Sequence, residues 1–270
     1  MRIGVRAHDF GRFASPKEQA NAIKSAGFTC VQYAPAKAVE GVEHFDAITP
    51  KLLDDIQEGF NHHDVEITVL GCYIEPSLVD KDQRLDNVRI FCDNLSHAKR
   101  LGVSIVGTET TGLNIHASES EREAAYQRLL DSVMRMAEKA EAENVYIGIE
   151  PVAEHTLNTP AITRRLLDDV NSDNLKIIFD PVNLVLPHTM ADQNKIFEEM
   201  FTLLGKEISV MHIKDADNQK AWRKIGDGVI NYPLIFDWLK THKPEIRLLR
   251  EDAKKDSYKE DIAAMIRLSN

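Results

Sequence analysis

Eight short apolar segments alternate with eight amphipathic helical segments along the 270 residues, and this alternation constrains the fold more than any other feature. The apolar segments, such as 65–71, 145–150 and 175–180, are rich in Val, Ile and Leu. Such strands are typical of parallel sheets that are buried on both faces. Eight strand–helix units in about 250 residues fit a (β/α)8 barrel. We therefore predict an α/β fold, a (β/α)8 TIM barrel.

The predicted helix boundaries carry recognisable signals. Ser15 precedes Pro16, a pairing typical of a helix N-cap followed by the first helical residue. Gly27 stands where a left-handed residue ends many helices. A Thr-Pro pair opens the helices predicted near 50 and 160 in the same way. Ser257, followed three residues later by Glu260, predicts a capping box before the final helix.

No stretch rich in Pro, Gly or Ser divides the chain, and no segment is of low complexity. We predict one TIM-barrel catalytic domain over residues 1–270. A doubly wound open sheet is the structural alternative. Neither G-x-G-x-x-G nor G-x-x-x-x-G-K-[ST] follows the first predicted strand, which favours the barrel.

Composition limits the classes of partner and compartment. Lys plus Arg number 33 and Asp plus Glu 43, which gives a formal net charge of −10. Such acidity disfavours binding to nucleic acid and to anionic membranes. Three cysteines without C-x-x-C spacing fit a reducing compartment. We see no signal-peptide pattern or bilayer-spanning run, so we predict a cytoplasmic protein and leave homo-oligomerisation open.

Polar residues end several of the predicted strands, where TIM barrels carry their chemistry. His8 ends strand one and Glu109 ends strand four. Strands five to eight end in turn on the four residues Glu150, Asp180, His212 and Glu251. Adjacent strands lie about 4.8 Å apart. Three carboxylates at this spacing repel one another unless a cation or protons lie between them. The pattern favours one divalent metal ion, and carboxylates with one imidazole suit Mn, Mg, Co or Zn.

Several short motifs resemble the xylose isomerase-like barrel superfamily of sugar isomerases and epimerases. They are G-I-E-P at 148–151, F-D-P-V-N at 179–183, M-H-I-K-D at 211–215, G-D-G at 226–228 and the terminal Glu251. Each motif is weak alone. Their order along the chain, each at or after a strand end, makes the resemblance specific for the superfamily but not for a substrate.

The resemblance implies four metal ligands, which are Glu150, Asp180, His212 and Glu251. It also implies that Glu150 and Glu251 form the acid/base pair of a reaction on a small sugar, which passes through a metal-stabilised enediolate. Asn183 stands where many relatives have a metal-site histidine. Arg223 matches an arginine that ketose epimerases place before the glycine turn. The substrate-binding candidates are His8, Glu109, His155, Asn183 and Arg223.

Four possibilities stay open at this point. Two carboxylates on opposite faces of one carbon would give an epimerase, whereas one base acting between adjacent carbons would give an isomerase. A dehydratase of a keto acid or an inositol-derived ketone could use the same metal site. A sugar-binding barrel without turnover is the non-enzymatic alternative.

Lys214 and Asp215 are interpreted as an ion pair that supports the site.

Overall fold

The computed structural model describes all 270 residues, Met1–Asn270. Eight parallel strands form a closed barrel in which each strand lies beside its neighbours in the chain and the first pairs with the eighth. The predicted α/β barrel is thereby confirmed. In chain order the barrel strands are Arg2–Arg6, Cys30–Tyr33, Glu66–Gly71, Ile105–Thr108, Tyr146–Ile149, Leu175–Phe179, Ile208–Ile213 and Arg247–Arg250.

Nine α-helices, α1 to α9, follow or connect the strands. None of them combines the length and apolar character needed to cross a membrane. The four-residue helix Pro35–Ala38 and a two-stranded hairpin, Asp215–Ala216 with Trp222–Arg223, were not predicted. The helices are Pro16–Ala26, Pro35–Ala38, Pro50–His62, Lys81–Leu101, Glu119–Glu143, Pro160–Val170, Gln193–Leu204, Tyr232–His242 and Tyr258–Ser269.

By the density of their internal packing, the residues fall into two compact units. The first unit comprises Met1–Gly71, Arg100–Val103 and Val210–Asn270, and the second comprises Cys72–Lys99 and Ser104–Ser209. Each unit buries its own aromatic side chains. The buried phenylalanines are Phe28, Phe60 and Phe236 in the first unit and Phe91, Phe179 and Phe197 in the second.

Three of the four helix-boundary predictions are confirmed. At the two Thr-Pro pairs, Thr49 and Thr159 accept hydrogen bonds from the amides of Leu52 and Ile162. Ser15 Oγ accepts a hydrogen bond from the Glu18 amide at 3.4 Å. Gly27 is left-handed at φ 104°, and its N–H closes the end of α1. The capping box at Ser257 is wrong. Its hydroxyl donates to the Lys254 carbonyl and to the Asp261 carboxylate, so it does not cap the first amides of α9.

Two predicted strand ends are displaced. His8 lies beyond the first strand, in the 3-10 helix Ala7–Phe10, because the chain turns after Arg6 and Gly11 N–H bonds back to the His8 carbonyl. His212 lies inside the seventh strand, which continues to Ile213. Glu109, Glu150, Asp180 and Glu251 each directly follow the last residue of a strand, as predicted.

Asp215 organises the turn that follows the hairpin. Its Oδ2 accepts hydrogen bonds from the amides of Gly226 at 2.9 Å and Gly228 at 3.1 Å. A Cβ atom at Gly228 would lie 2.0 Å from Asp215 Oδ1, so only glycine fits there. The predicted Lys214–Asp215 ion pair is wrong, because Asp215 binds backbone amides and Lys214 binds Glu251.

Candidate metal centre and active site

Glu150 and Asp180 follow the fifth and sixth strands of the barrel, which both belong to the second unit. These two strands pair so that Ile149 lies opposite Ile177. Both carboxylates are buried. Asp180 Oδ1 accepts hydrogen bonds from the amides of Val182 at 2.8 Å and Asn183 at 3.1 Å. This turn brings the Asn183 side chain back, so that its Nδ2 donates to Glu150 Oε1 at 2.5 Å. The D-P-V-N segment therefore holds both carboxylates in place.

His212 and Glu251 belong to the first unit. His212 pairs in register with Leu249, and Glu251 stands two residues further, its N–H bonded to the Ile213 carbonyl. His212 Nε2 lies 2.8 Å from Oε1 of Gln32 on the second strand. Because an amide oxygen only accepts, Nε2 carries the proton and a neutral ring keeps its lone pair on Nδ1. This is how a neighbouring side chain fixes the tautomer of a metal-ligating histidine.

Three of the predicted ligands form a compact cluster. Glu150, Asp180 and His212 are all buried, and one ligand atom from each lies within 4.8 Å of the other two. Two buried carboxylates at this separation repel each other unless positive charge compensates them. Two carboxylates with one imidazole form a donor set that suits a divalent ion. The residues present therefore fit a divalent metal.

Glu251 is surrounded by positive groups. Lys214 Nζ donates to Oε2 at 3.1 Å, while Arg6 Nη1 and His212 Nδ1 lie 3.4 and 3.3 Å from Oε1. Burial alone would raise the pKa of Glu251, but the charges of His212 when its ring is protonated, of Lys214 and of Arg6 together hold the pKa below the usual glutamate range. The side chain is therefore a carboxylate at neutral pH.

Two predicted substrate-binding residues meet in the second unit. His155 Nδ1 lies 3.9 Å from Glu109 Oε2, and both side chains are part-exposed. The backbone supports this contact, because Gly112 and His155 form an antiparallel bridge. Burial, the largest effect, lowers the pKa of His155. The pair can therefore present a neutral imidazole and a carboxylate to a ligand.

The remaining two candidates lie in the first unit. His8 is half-buried after the first strand. Arg223 lies on the hairpin, where its Nη2 binds Asp217 Oδ2 at 2.5 Å and its Nη1 donates to the Trp222 carbonyl. The structure thus places Arg223 in an ion pair within the hairpin, a partner that the sequence alone did not indicate.

A family model described as xylose isomerase-like TIM barrel matches residues 20–268. The chain belongs to this family. No curated protein matches the sequence, whereas solved structures with this barrel are numerous.

Three solved structures illustrate the likeness of fold. A D-tagatose 3-epimerase-like protein is 18% identical, with 99% of this chain and 97% of that chain covered and a TM-score of 0.82. The IOLI protein with a bound zinc atom is 19% identical, with 100% and 96% covered and a TM-score of 0.76. The probable 3-DHS dehydratase AsbF of Bacillus anthracis is 16% identical, with 100% and 99% covered and a TM-score of 0.75. At these identities the likeness shows the fold.

Gln32 was not among the predicted site residues, although its side chain orients His212 in this xylose isomerase-like barrel. Gln32 lies 180 positions from His212, so no local motif connects them. One signal was present in the sequence. A glutamine in the middle of a short strand that is buried at every position needs a buried partner, since an unpaired amide there is costly.

His8 should make the stability of the native protein depend on pH in the acid range. Burial, followed by the charges of Arg6 and Lys37, lowers the pKa of His8 to about 3, against about 6.5 when unfolded. Between these values the unfolded chain binds a proton that the native chain does not, so stability falls as pH falls from about 6.5 toward 3. We expect His8→Gln to reduce the stability lost between pH 7 and pH 5 by about 2 kcal/mol. Urea unfolding at both pH values measures this.

The exposed His62 offers a matched control for this test. His62→Gln should keep the wild-type difference between pH 7 and pH 5. Equal acid sensitivity in wild type and His8→Gln would show that His8 is not kept neutral by its surroundings.

Proposed function

We propose that the protein is a divalent-metal-dependent sugar isomerase or epimerase and that residues 1–270 form one catalytic domain. The observation that carries the proposal is the buried cluster of Glu150, Asp180 and His212, whose ligand atoms lie within 4.8 Å of one another. Support comes from the family, and from solved structures of the same fold that include a D-tagatose 3-epimerase-like protein and a zinc-bound protein.

Each residue then has a defined task. Glu150, Asp180 and His212 would hold the cation, with Glu251 as the fourth predicted ligand. A divalent ion held there would polarise the carbonyl and the neighbouring hydroxyl of a bound sugar, which acidifies the C–H on the carbon that carries this hydroxyl. Glu150 and Glu251 would move the proton: one carboxylate removes it and the other returns one to the opposite face. That sequence inverts the carbon and gives epimerisation.

The other candidates would bind and orient the substrate. Asn183 already donates to Glu150, so its amide would hold that carboxylate in position while facing a substrate hydroxyl. Glu109, His155, His8 and Arg223 complete the proposed substrate-binding set. We propose a small sugar as substrate, one ion of Mn, Mg, Co or Zn as cofactor, and manganese as the first ion to test. The cytoplasmic location stays a prediction.

The proposal is tested by incubating metal-stripped protein with a panel of ketoses in D2O, with and without added Mn²⁺. We expect deuterium at the carbon beside the carbonyl only when the ion is present, because the C–H is too weakly acidic without it. Mass spectrometry and NMR of the recovered sugars identify the substrate and the reaction together. Full activity in protein shown by elemental analysis to lack metal would refute metal dependence.

The same incubation separates the alternatives. A ketone product that has lost one water would assign a dehydratase, the activity named for one solved structure of this fold. Metal binding without deuterium incorporation from any substrate, keto acids and inositol-derived ketones included, would assign a sugar-binding barrel without turnover.

The ligand assignment predicts a separate loss of metal affinity. Asp180→Asn should weaken Mn²⁺ binding by more than about tenfold, because even changes to residues that support a ligand cost 10- to 100-fold. His212→Ala should do the same, and excess Mn²⁺ should restore part of the activity of both variants. Isothermal titration of metal-stripped protein provides the measurement. Asp168→Asn, at an exposed ion pair with Arg164, is the control, and unchanged affinity in both ligand variants would show the assignment to be wrong.

A further inference from the structure

Lys214 directly follows the seventh strand and belongs neither to the metal cluster nor to the predicted acid/base pair. Its side chain is only 13% exposed, and its Nζ donates to Glu251 Oε2 at 3.1 Å. A lysine is rarely buried to this degree without a charged partner. The ammonium group is therefore placed on the carboxylate that the proposed reaction uses.

The backbone of Lys214 is fixed without help from its ammonium group. The hydroxyl of Tyr232, at the start of α8, donates to the Lys214 carbonyl. The next residue, Asp215, is tied to the glycine turn through the amides of Gly226 and Gly228. Removing the charge at Lys214 would therefore leave the path of the chain unchanged.

Both glutamates of the proposed acid/base pair are held by neighbouring side chains. Glu150 accepts from the amide of Asn183. Glu251 has a positive group at each oxygen, with Lys214 at Oε2 and Arg6 at Oε1. Arg6 is itself anchored, since its Nε donates to Asp9 Oδ1 at 3.0 Å. Of the two cations, Lys214 makes the closer contact and a hydrogen bond.

The last side-chain torsion of a glutamate can take a broad range of angles, because it joins an sp³ carbon to an sp² carbon. A carboxylate that removes a proton from carbon must nevertheless present one oxygen to one C–H, and a misplacement of about 1 Å can cost 10²-fold in rate. Lys214 supplies the hydrogen bond that fixes this rotation, because it engages Oε2 and leaves Oε1 on the side of His212 and Arg6.

We propose that Lys214 is a positioning residue that sets the orientation of the Glu251 carboxylate for proton transfer. The inference rests on the proposed function, in which Glu251 is one of the two acid/base groups. It adds a requirement that the metal cluster alone does not impose: a cation must donate a hydrogen bond to Oε2 of Glu251.

The kinetic test compares Lys214→Met, Lys214→Arg and wild type with the ketose that wild type processes best. We expect Lys214→Met to lower kcat by about 10- to 100-fold at saturating Mn²⁺ and substrate, with KM for the ketose within about threefold of wild type. Because Glu251 is also a predicted ligand, the affinity for Mn²⁺ should fall as well, so kcat is measured with the ion in excess. Lys214→Arg should recover part of kcat, because it restores a cation and a donor. Lys51→Met removes a lysine from an exposed ion pair with Asp55 and should match wild type.

A kcat within twofold of wild type for Lys214→Met would overturn the proposal. So would a kcat that excess Mn²⁺ restores to the wild-type value, since Lys214 would then act only through metal affinity. Melting temperatures of all variants show whether a loss of kcat reflects unfolding.

A second measurement does not depend on turnover. Crystal structures of wild type and Lys214→Met should show the Glu251 carboxylate rotated or in several orientations in the variant, with the backbone of 212–216 superimposable. A carboxylate that stays within about 0.5 Å of its wild-type position would overturn the positioning role. If wild type shows no metal-dependent exchange with any substrate, the proposed function has failed, and these structures alone decide what Lys214 does to Glu251.

Discussion

Glu150→Gln and Glu251→Gln are each expected to lower kcat by about 10²- to 10⁴-fold, which is the contribution of a positioned acid or base. Glutamine keeps the shape of the side chain and one carbonyl oxygen, but it cannot carry the transferred proton. At position 150 that oxygen can still accept from Asn183, as Glu150 Oε1 does at 2.5 Å. Binding of metal and substrate should therefore fall far less than kcat.

The diagnostic measurement is deuterium exchange from each epimer of the substrate separately. In an epimerase, each variant keeps a base on one face, so one epimer should still exchange its proton while conversion to the other stops. Near wild-type turnover in both variants with metal bound would contradict the two-carboxylate mechanism. If one variant abolished exchange and the other left it intact from both epimers, a single-base isomerase would replace the epimerase.

Glu150→Gln tests the loss of the proton carrier more cleanly than Glu251→Gln. Glu251→Gln leaves Lys214 and Arg6 beside a neutral amide, where a buried carboxylate had balanced them. Part of its effect will therefore be a loss of stability, which thermal unfolding of both variants measures. The difference in melting temperature between them separates this electrostatic cost from the loss of the proton carrier.

The barrel could be predicted from sequence because its determinants are local. Each strand is a short apolar run, and signals such as Ser15 before Pro16 and the left-handed Gly27 mark helix ends through neighbouring atoms alone. The hairpin Asp215–Ala216 with Trp222–Arg223 has no comparable apolar pattern. Its first strand is held by Asp215, which accepts from the amides of the glycine turn that follows the hairpin, a contact that no short motif reveals.

The candidate site could likewise be predicted only where its determinants are local in the sequence. Glu150, Asp180 and Glu251 directly follow buried strands, and parallel strands deliver such residues to one end of a barrel. The groups that hold these side chains were not found, because Gln32, Arg6 and Lys214 contact their partners across long stretches of chain. A buried polar residue in or beside a strand indicates that a partner exists, but it does not say which.

Asp261→Ala is expected to lower the free energy of unfolding by about 3–5 kcal/mol, the usual cost of breaking a buried ion pair. Asp261 Oδ2 accepts from Arg250 Nε at 2.9 Å, and both side chains are fully buried. Asp261 also accepts from the Ser257 hydroxyl and from the Ile225 amide. The variant would leave a buried cation without its counter-ion and the buried Ile225 amide without its acceptor, while the Ser257 hydroxyl keeps the Lys254 carbonyl.

Urea unfolding of three variants tests this argument. Asp237→Ala, at an exposed ion pair with Lys240, is the control and should change stability by less than about 0.5 kcal/mol. The double variant Arg250→Met with Asp261→Leu removes both charges together, so it should be more stable than Asp261→Ala. A cost below about 1 kcal/mol for Asp261→Ala would mean that water reaches Arg250. Because Arg250 also donates to the Glu251 carbonyl, the charge that stabilises the end of the eighth strand also fixes the backbone of the proposed base.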